Sequence, residues 1–199
     1  MKKIITTALL VFIITINVTS QNDIIWGIQG GINTNLLNAE GVTESSYRSG
    51  IDFGTLIEIP LNSNFSFQGE LNYHIHNSNG YEDLIGGGGG YKVDYKFKII
   101  QLPVLIKYYP FKRFSVEVGP SFNFLIDDEE IMYLPSGNRK FRGYRKDFYI
   151  SSVMGATYSI GKGFFGGVKY FKNLSKFYND NTINDQELKS YHLIIGKKF

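Results

Sequence analysis

Three features of the sequence predict an all-β chain, an eight-stranded antiparallel up-and-down β-barrel that crosses a membrane with its strands. Apolar and polar residues alternate with period two through eight segments. The connections between those segments alternate long and short. Aromatics make up 16% of the 199 residues, with 14 Tyr and 16 Phe, cut by 22 Gly and only 5 Pro. That mixture favours pleated strands over helices.

The chain opens on a segment of another kind. "MKK" is basic, "IITTALLVFIITI" is an apolar run of 13 residues, and "VTS" supplies small residues before Gln21. This is the pattern of an export signal, removed after about Ser20. The run is short of the roughly 20 residues that a spanning helix needs. The expected organisation is therefore a signal peptide over 1–20 and one barrel domain over 21–199. The strands follow in order: "IIWGIQGGIN" (24–33), "SGIDFGTLIEI" (49–59), "NFSFQGELNYHIH" (64–76), "YKFKIIQLPVLIKYY" (95–109), "FSVEVGPSFNFLI" (114–126), "DFYISSVMGATYSI" (147–160), "GFFGGVKYFKNL" (163–174) and "LKSYHLIIGKKF" (188–199). Each is long enough to cross a tilted barrel wall, which takes about 9–11 residues. "PLNS", "PFKR" and "GK" make the short connections, and four polar stretches of 13 to 20 residues make the long ones. Short turns at one end and long loops at the other distinguish an outer-membrane barrel, with periplasmic turns and external loops.

Alternation does not say which face is wet, but the charges do. Phe65, Phe67, Leu71, Tyr73 and Ile75 oppose Ser66, Gln68, Glu70, Asn72, His74 and His76. Ile51, Phe53, Ile57 and Ile59 oppose Asp52, Gly54 and Glu58, while Val116 and Val118 oppose Ser115, Glu117 and Gly119. Charges of both signs in mid-strand, mixed with Gly and Ser, suit a narrow enclosed interior where Glu58, Glu70 and Glu117 meet Lys107 and Lys169. The apolar face then meets lipid, and Trp26, Phe65, Tyr73, Tyr108, Phe114, Tyr158, Tyr170 and Tyr191 near the strand ends form interfacial girdles. Lys96 and Lys98 share the lipid-facing parity and are expected above the membrane rim. In the sixth segment Ser152 and Val153 fit either parity. A lipocalin-like soluble carrier, with the apolar face inward, is the competing arrangement, and the mid-strand charges weigh against it.

The closing "SYHLIIGKKF" alternates Tyr191, Leu193, Ile195 and Phe199 on one face, the pattern of a membrane-insertion signal. With "GIDFGTLIEIPLNSNFSFQGELNY", "KIIQLPVLIKYYPFKRFSVEVGP" and "LIIGKKF", the chain resembles the Bacteroidota-type outer-membrane β-barrel family, often labelled porin-like. The resemblance implies an eight-stranded outer-membrane barrel, no catalytic residues and no cofactor. The expected partners are outer-membrane lipids and lipopolysaccharide, the barrel-assembly machinery during biogenesis, and an external ligand or protein.

Little in the sequence carries chemistry. Without cysteine there are no disulfides, Cys-bound zinc, thiol catalysis or lipid-anchored Cys. A net charge of +3 that includes Lys2 and Lys3 gives no reason to expect nucleic acid. Gly86 to Gly90 are five consecutive glycines followed by a strand-like run with no Lys-Ser/Thr pair, so they read as a hairpin tip rather than a phosphate loop. His74, His76 and His192 share the inward parity, with Glu70 below them, and are the candidates for metal binding or for the base of a lipid-modifying barrel enzyme. The commoner role of such residues is an interior hydrogen-bond network. "DDEE" (127–130) and "RKFRGYRK" (139–146) bracket the third external loop, where they either pair across its stems or contact cations or phosphates. An eight-stranded lumen filled by side chains excludes general diffusion, which points to a structural or surface-interaction role.

Overall fold

The computed structural model describes residues 24–38, 46–83, 90–134, 137–141, 146–175 and 187–199. The proposed signal peptide lies outside them, as do residues 84–89 of the glycine-rich connection. Nine strands form one sheet: β1 (Ile25–Asn38), β2 (Ser46–Pro60), β3 (Phe65–Asp83), β4 (Gly90–Phe111), β5 (Phe114–Leu134), β6 (Gly137–Phe141), β7 (Phe148–Gly161), β8 (Phe164–Asn173) and β9 (Glu187–Lys198). All pairings are antiparallel, and β9 pairs with β1, so eight strands close into a barrel in chain order. The additional short strand, β6, pairs only with the outer end of β5, from Glu130↔Phe141 to Leu134↔Gly137. Its five residues lack the apolar alternation that identifies the other eight.

The short connections close as the sequence implies. In the β2–β3 turn the Asn62 side chain accepts hydrogen bonds from the backbone N–H groups of Asn64 and Phe65, both at 2.9 Å. This is the Asx geometry that makes Asn a turn residue. The β7–β8 turn runs through three positive φ angles, 117° at Gly161, 52° at Lys162 and 81° at Gly163. At Gly163 a Cβ would also lie 2.3 Å from the Lys198 carbonyl oxygen, so glycine is required on two counts.

The long strands reach further than expected on the loop side. β3 continues to Asp83, β4 begins at Gly90 and β5 runs to Leu134. The acidic run therefore lies within β5 rather than opening a loop. Asp127, Asp128, Glu129 and Glu130 pair with Lys98, Phe97, Lys96 and Tyr95 of β4. A register shift beside Ile126 changes the parity there. Asp127 and Glu129 turn outward with Lys98 and Lys96, while Asp128 is buried.

Burial assigns the faces. Glu58, Glu70, Lys107, Glu117 and Lys169 are buried inside, whereas Ile28, Phe53, Leu71, Ile106, Val118, Met154 and Leu193 are exposed outside. On β7, Val153 faces inward and Ser152 outward, which settles the ambiguous segment. The interior is not uniformly polar. Val93, Tyr95, Phe97, Ile99, Leu125, Tyr149 and Leu188 form an apolar cluster at the loop end of the lumen. Two smaller clusters, Leu56–Phe165–Ile194 and Leu105–Val153–Phe171, lie nearer the turns. Outside, Phe65 stacks near Tyr108 at 5.0 Å in the lower aromatic belt, and Phe53–Tyr73 (5.3 Å), Phe124–Phe148 (5.2 Å) and Tyr170–Tyr191 (5.0 Å) form the upper one. Phe65 to Tyr73 spans about 26 Å along β3 at about 3.3 Å per residue. A tilt of about 40° reduces this to about 20 Å, close to the height of a membrane-crossing apolar band.

Candidate functional site

The lumen holds two polar constellations. The lower one joins residues from six strands, all pointing inward because each shares the parity of its strand's polar face. Lys107 lies 3.2 Å from Glu117 and 4.0 Å from Glu58. Lys169 binds Glu70 through a short ion pair and lies 3.4 Å from Glu117. The five residues expected to form this network thus come together. Two further members were not foreseen: Lys198, 2.5 Å from Glu58, and Tyr109, whose hydroxyl donates to Glu58. Lys198 reads as a terminal charge, yet it shares the inward parity of His192 and Ile194 on β9 and reaches Glu58. Three carboxylates and three ammonium groups balance, which is how such charges are kept out of water. Side-chain amides and a hydroxyl add hydrogen bonds. Gln29 donates to Glu70 and Asn72, Asn72 donates to Glu70, and Lys107 donates to Gln68 and Thr157.

The upper constellation centres on Asp52. Its two carboxylate oxygens meet His74 Nδ1 at 2.5 Å and His192 Nδ1 at 2.8 Å, while Asn33 donates to it at 2.9 Å. The two imidazoles stack at 5.0 Å, and His76 meets His74 edge-on at 5.9 Å. All three histidines are therefore in one place, as their parity implies. What the sequence does not reveal is that Asp52, and not Glu70, is the partner of His74 and His192. Asp52 sits on β2 and His192 on β9, with β1 between them, and the two meet across Gly31, which pairs with Asp52 on one side and Ile194 on the other. With no side chain, Gly31 lets β1 and β9 approach closely there: a Cβ would lie 2.2 Å from the Leu193 carbonyl oxygen. One ligand atom each from Asp52, His74 and His192 lies within 4.8 Å of the others, a set with the chemistry of a metal centre. In the structure the Nδ1 atom of each histidine is engaged with an oxygen of Asp52. Ser190 Oγ also lies 2.9 Å from His192 Nε2, so Ser190, His192 and Asp52 form a hydrogen-bonded chain in the order used for nucleophilic catalysis. Ser190 and His192 are both buried, with Phe171 4.4 Å from the His192 ring.

Above the upper belt the outward side chains become charged. Lys98 pairs with Asp127 at 2.7 Å, Lys140 with Glu129 at 2.6 Å, and Glu187 with both Lys172 and Lys189 at 2.5 Å. The acidic run thus pairs with lysines of β4 and β6. Hydrogen bonds from Lys172 and Lys189 hold the Glu187 carboxyl below its ordinary range, and Glu187 in turn raises Lys189. The Lys98 ammonium lowers Asp127 in the same way.

Comparison with known proteins agrees with this architecture. Residues 19–179 match the family described as outer membrane protein beta-barrel domain. No curated protein matches the chain. Among solved structures, the chain is similar to Ail, the attachment invasion locus protein of Yersinia pestis, solved in complex with the heparin analogue sucrose octasulfate. That likeness has a TM-score of 0.56 at 12% identity and covers 89% of this chain and 100% of Ail. Neisserial surface protein A is similar at a TM-score of 0.51 and 11% identity, covering 87% of this chain and 97% of that one.

Proposed function

Because the chain belongs to the outer membrane protein beta-barrel domain family, we propose that it works at the cell surface through its outer strand ends rather than through its lumen. It is an integral outer-membrane barrel with no open diffusion pore. The observation that carries the proposal is the filled lumen: a balanced network of six charges below and an apolar cluster above, with β3, β4 and β5 rising past the upper belt. The wall is in contact with outer-membrane lipid. Lipopolysaccharide and an external ligand or protein are the proposed outer partners. The barrel-assembly machinery is the proposed reader of Tyr191, Leu193 and Ile195, exposed on the outer face of β9, and of Phe199 just past its end. A sulfated polysaccharide is the first ligand to test, on the example of Ail with its heparin analogue. The deciding experiment is single-channel recording on the purified barrel, identified as folded by its mobility shift between boiled and unboiled gels. No conductance is expected, and robust conductance of the monomer would overturn the proposal.

One observation favours a second reading, a barrel hydrolase acting on lipid: the Ser190–His192–Asp52 chain. Burial of Ser190 stands against it, since a nucleophile must be reached. A fluorophosphonate probe discriminates. We expect no labelling of the folded barrel, and labelling that disappears in Ser190→Ala would establish the hydrolase.

A further inference from the structure

We propose that the outer face of β1, β9, β8 and β7 is a binding site for an acyl lipid with an anionic phosphate headgroup. The barrel's exterior carries a groove of about 490 Å³ walled by Ile32, Met154, Ala156, Val168 and Leu193, with Tyr170 and Tyr191 at its upper end. The register orders these residues into rows around the wall. Ile32, Leu193, Val168 and Ala156 are neighbours in one row, and Thr34, Tyr191, Tyr170 and Met154 in the next. The following row places Lys189 directly opposite Lys172, just past the aromatic belt where lipid headgroups lie.

Like charges directly opposite on paired strands repel. Here, among the described residues, two ammonium groups share one carboxylate, Glu187, so one positive charge at the groove's mouth is in excess. A lipid phosphate supplies the missing anion while its chain fills the groove below. A second exterior groove gives the contrast. It measures about 610 Å³ between Ile28, Phe53, Leu71, Tyr73 and Ile100, but the charge in the row above it is Lys98, already paired one-to-one with Asp127. Apolar space alone takes any acyl chain; the excess lysine makes the β8–β9 site selective for an anion.

The inference rests on the lipid-facing exterior and not on the surface-interaction reading, so conductance or ligand results leave it untouched. Native mass spectrometry of the folded protein, released from micelles doped with phosphatidylglycerol or phosphatidylcholine of identical chains, tests it. Phosphatidylglycerol should be retained roughly fivefold over phosphatidylcholine, the preference that one lysine contact with an anionic lipid confers. K172Q/K189Q, shown folded by its gel shift, should abolish the preference, and Ala156→Phe should reduce retention of both lipids. Glu187→Gln should strengthen the preference, which decides the matter even if the double variant does not fold. Equal retention of the two lipids, a preference that survives K172Q/K189Q, or equal retention of glycerol phosphate without chains would overturn the proposal.

Discussion

Buried charge in this barrel is tolerable only because the residues of the network are numbered to cancel. Glu117 illustrates the dependence: fully enclosed, it lies between Lys107 and Lys169. Replacing it with Gln keeps the volume but leaves three ammonium groups to two carboxylates. Removing one partner of a buried pair typically costs about 3–5 kcal/mol, because the survivor stays desolvated. We predict a loss of that order in urea unfolding from lipid vesicles for Glu117→Gln, against no measurable shift for Asp127→Asn, whose pair sits in water. Similar losses for both would mean that the lumen is hydrated. At this scale the sequence was informative about parity and silent about partnership. The inward positions of Glu58, Glu70, Lys107, Glu117 and Lys169 follow from alternation alone. That Asp52 receives His74 and His192 depends on register across β3, β2, β1 and β9, which no local pattern encodes, whereas Ser190 and His192 lie two apart on the inward face of β9 and are neighbours by alternation alone.

Strand ends show where a pattern stops carrying information. Below the upper belt one face meets lipid and the other the lumen, so apolar and polar residues must alternate. Above it the outward face meets water while the inward one stays buried in the barrel; on β3 both faces then carry polar residues, the alternation lapses, and "NSNGYED" (77–83) reads as loop although it is strand. The same change of environment explains the rim pairs, which depend on pH. Glu187 is depressed by its lysines, so its contribution is present above about pH 4.3, the ordinary Glu value, and is lost as pH falls through the lower folded value. Lys189 is raised, so its contribution is complete below its ordinary value near pH 10.4 and is lost as pH rises through the higher folded one. The paired state therefore prevails from mildly acidic to mildly alkaline pH. Both groups are partly exposed at the rim, so the effect is local. Amide protection at Lys172 and Lys189, corrected for intrinsic exchange, should fall between pH 7 and pH 3 while that at Val168 and Leu193 holds. Parallel loss at all four would assign the change to the whole barrel.

On the scale of the whole molecule, two seals of different chemistry lie in series along one lumen, and their order makes a distinct prediction. The lower seal is ionic and hydrated when opened; the upper one, around Phe97, Tyr149 and Leu125, is apolar and excludes water even when narrow gaps appear. Replacing Glu70 and Lys169 together by Ala removes an ion pair without leaving an unpaired charge of that pair, and creates space below an intact cap. Such a barrel should remain silent in single-channel recording. Adding Phe97→Ala and Tyr149→Ala removes two of the three aromatic side chains of the cap, at about 3–5 kcal/mol each, so only the fraction that keeps its gel shift is recorded. That fraction should conduct. If the first variant already conducts, the apolar cluster is not a seal and the lumen is closed by the ion network alone. If the fourfold variant stays silent, closure comes from the outer strand ends, β3 to β6, instead. The eight-strand count already implies that closed lumen from sequence. The division into an ionic and an apolar half does not follow from it, because Tyr95, Phe97 and Ile99 share the parity of Gln101 and Lys107 and differ only in height.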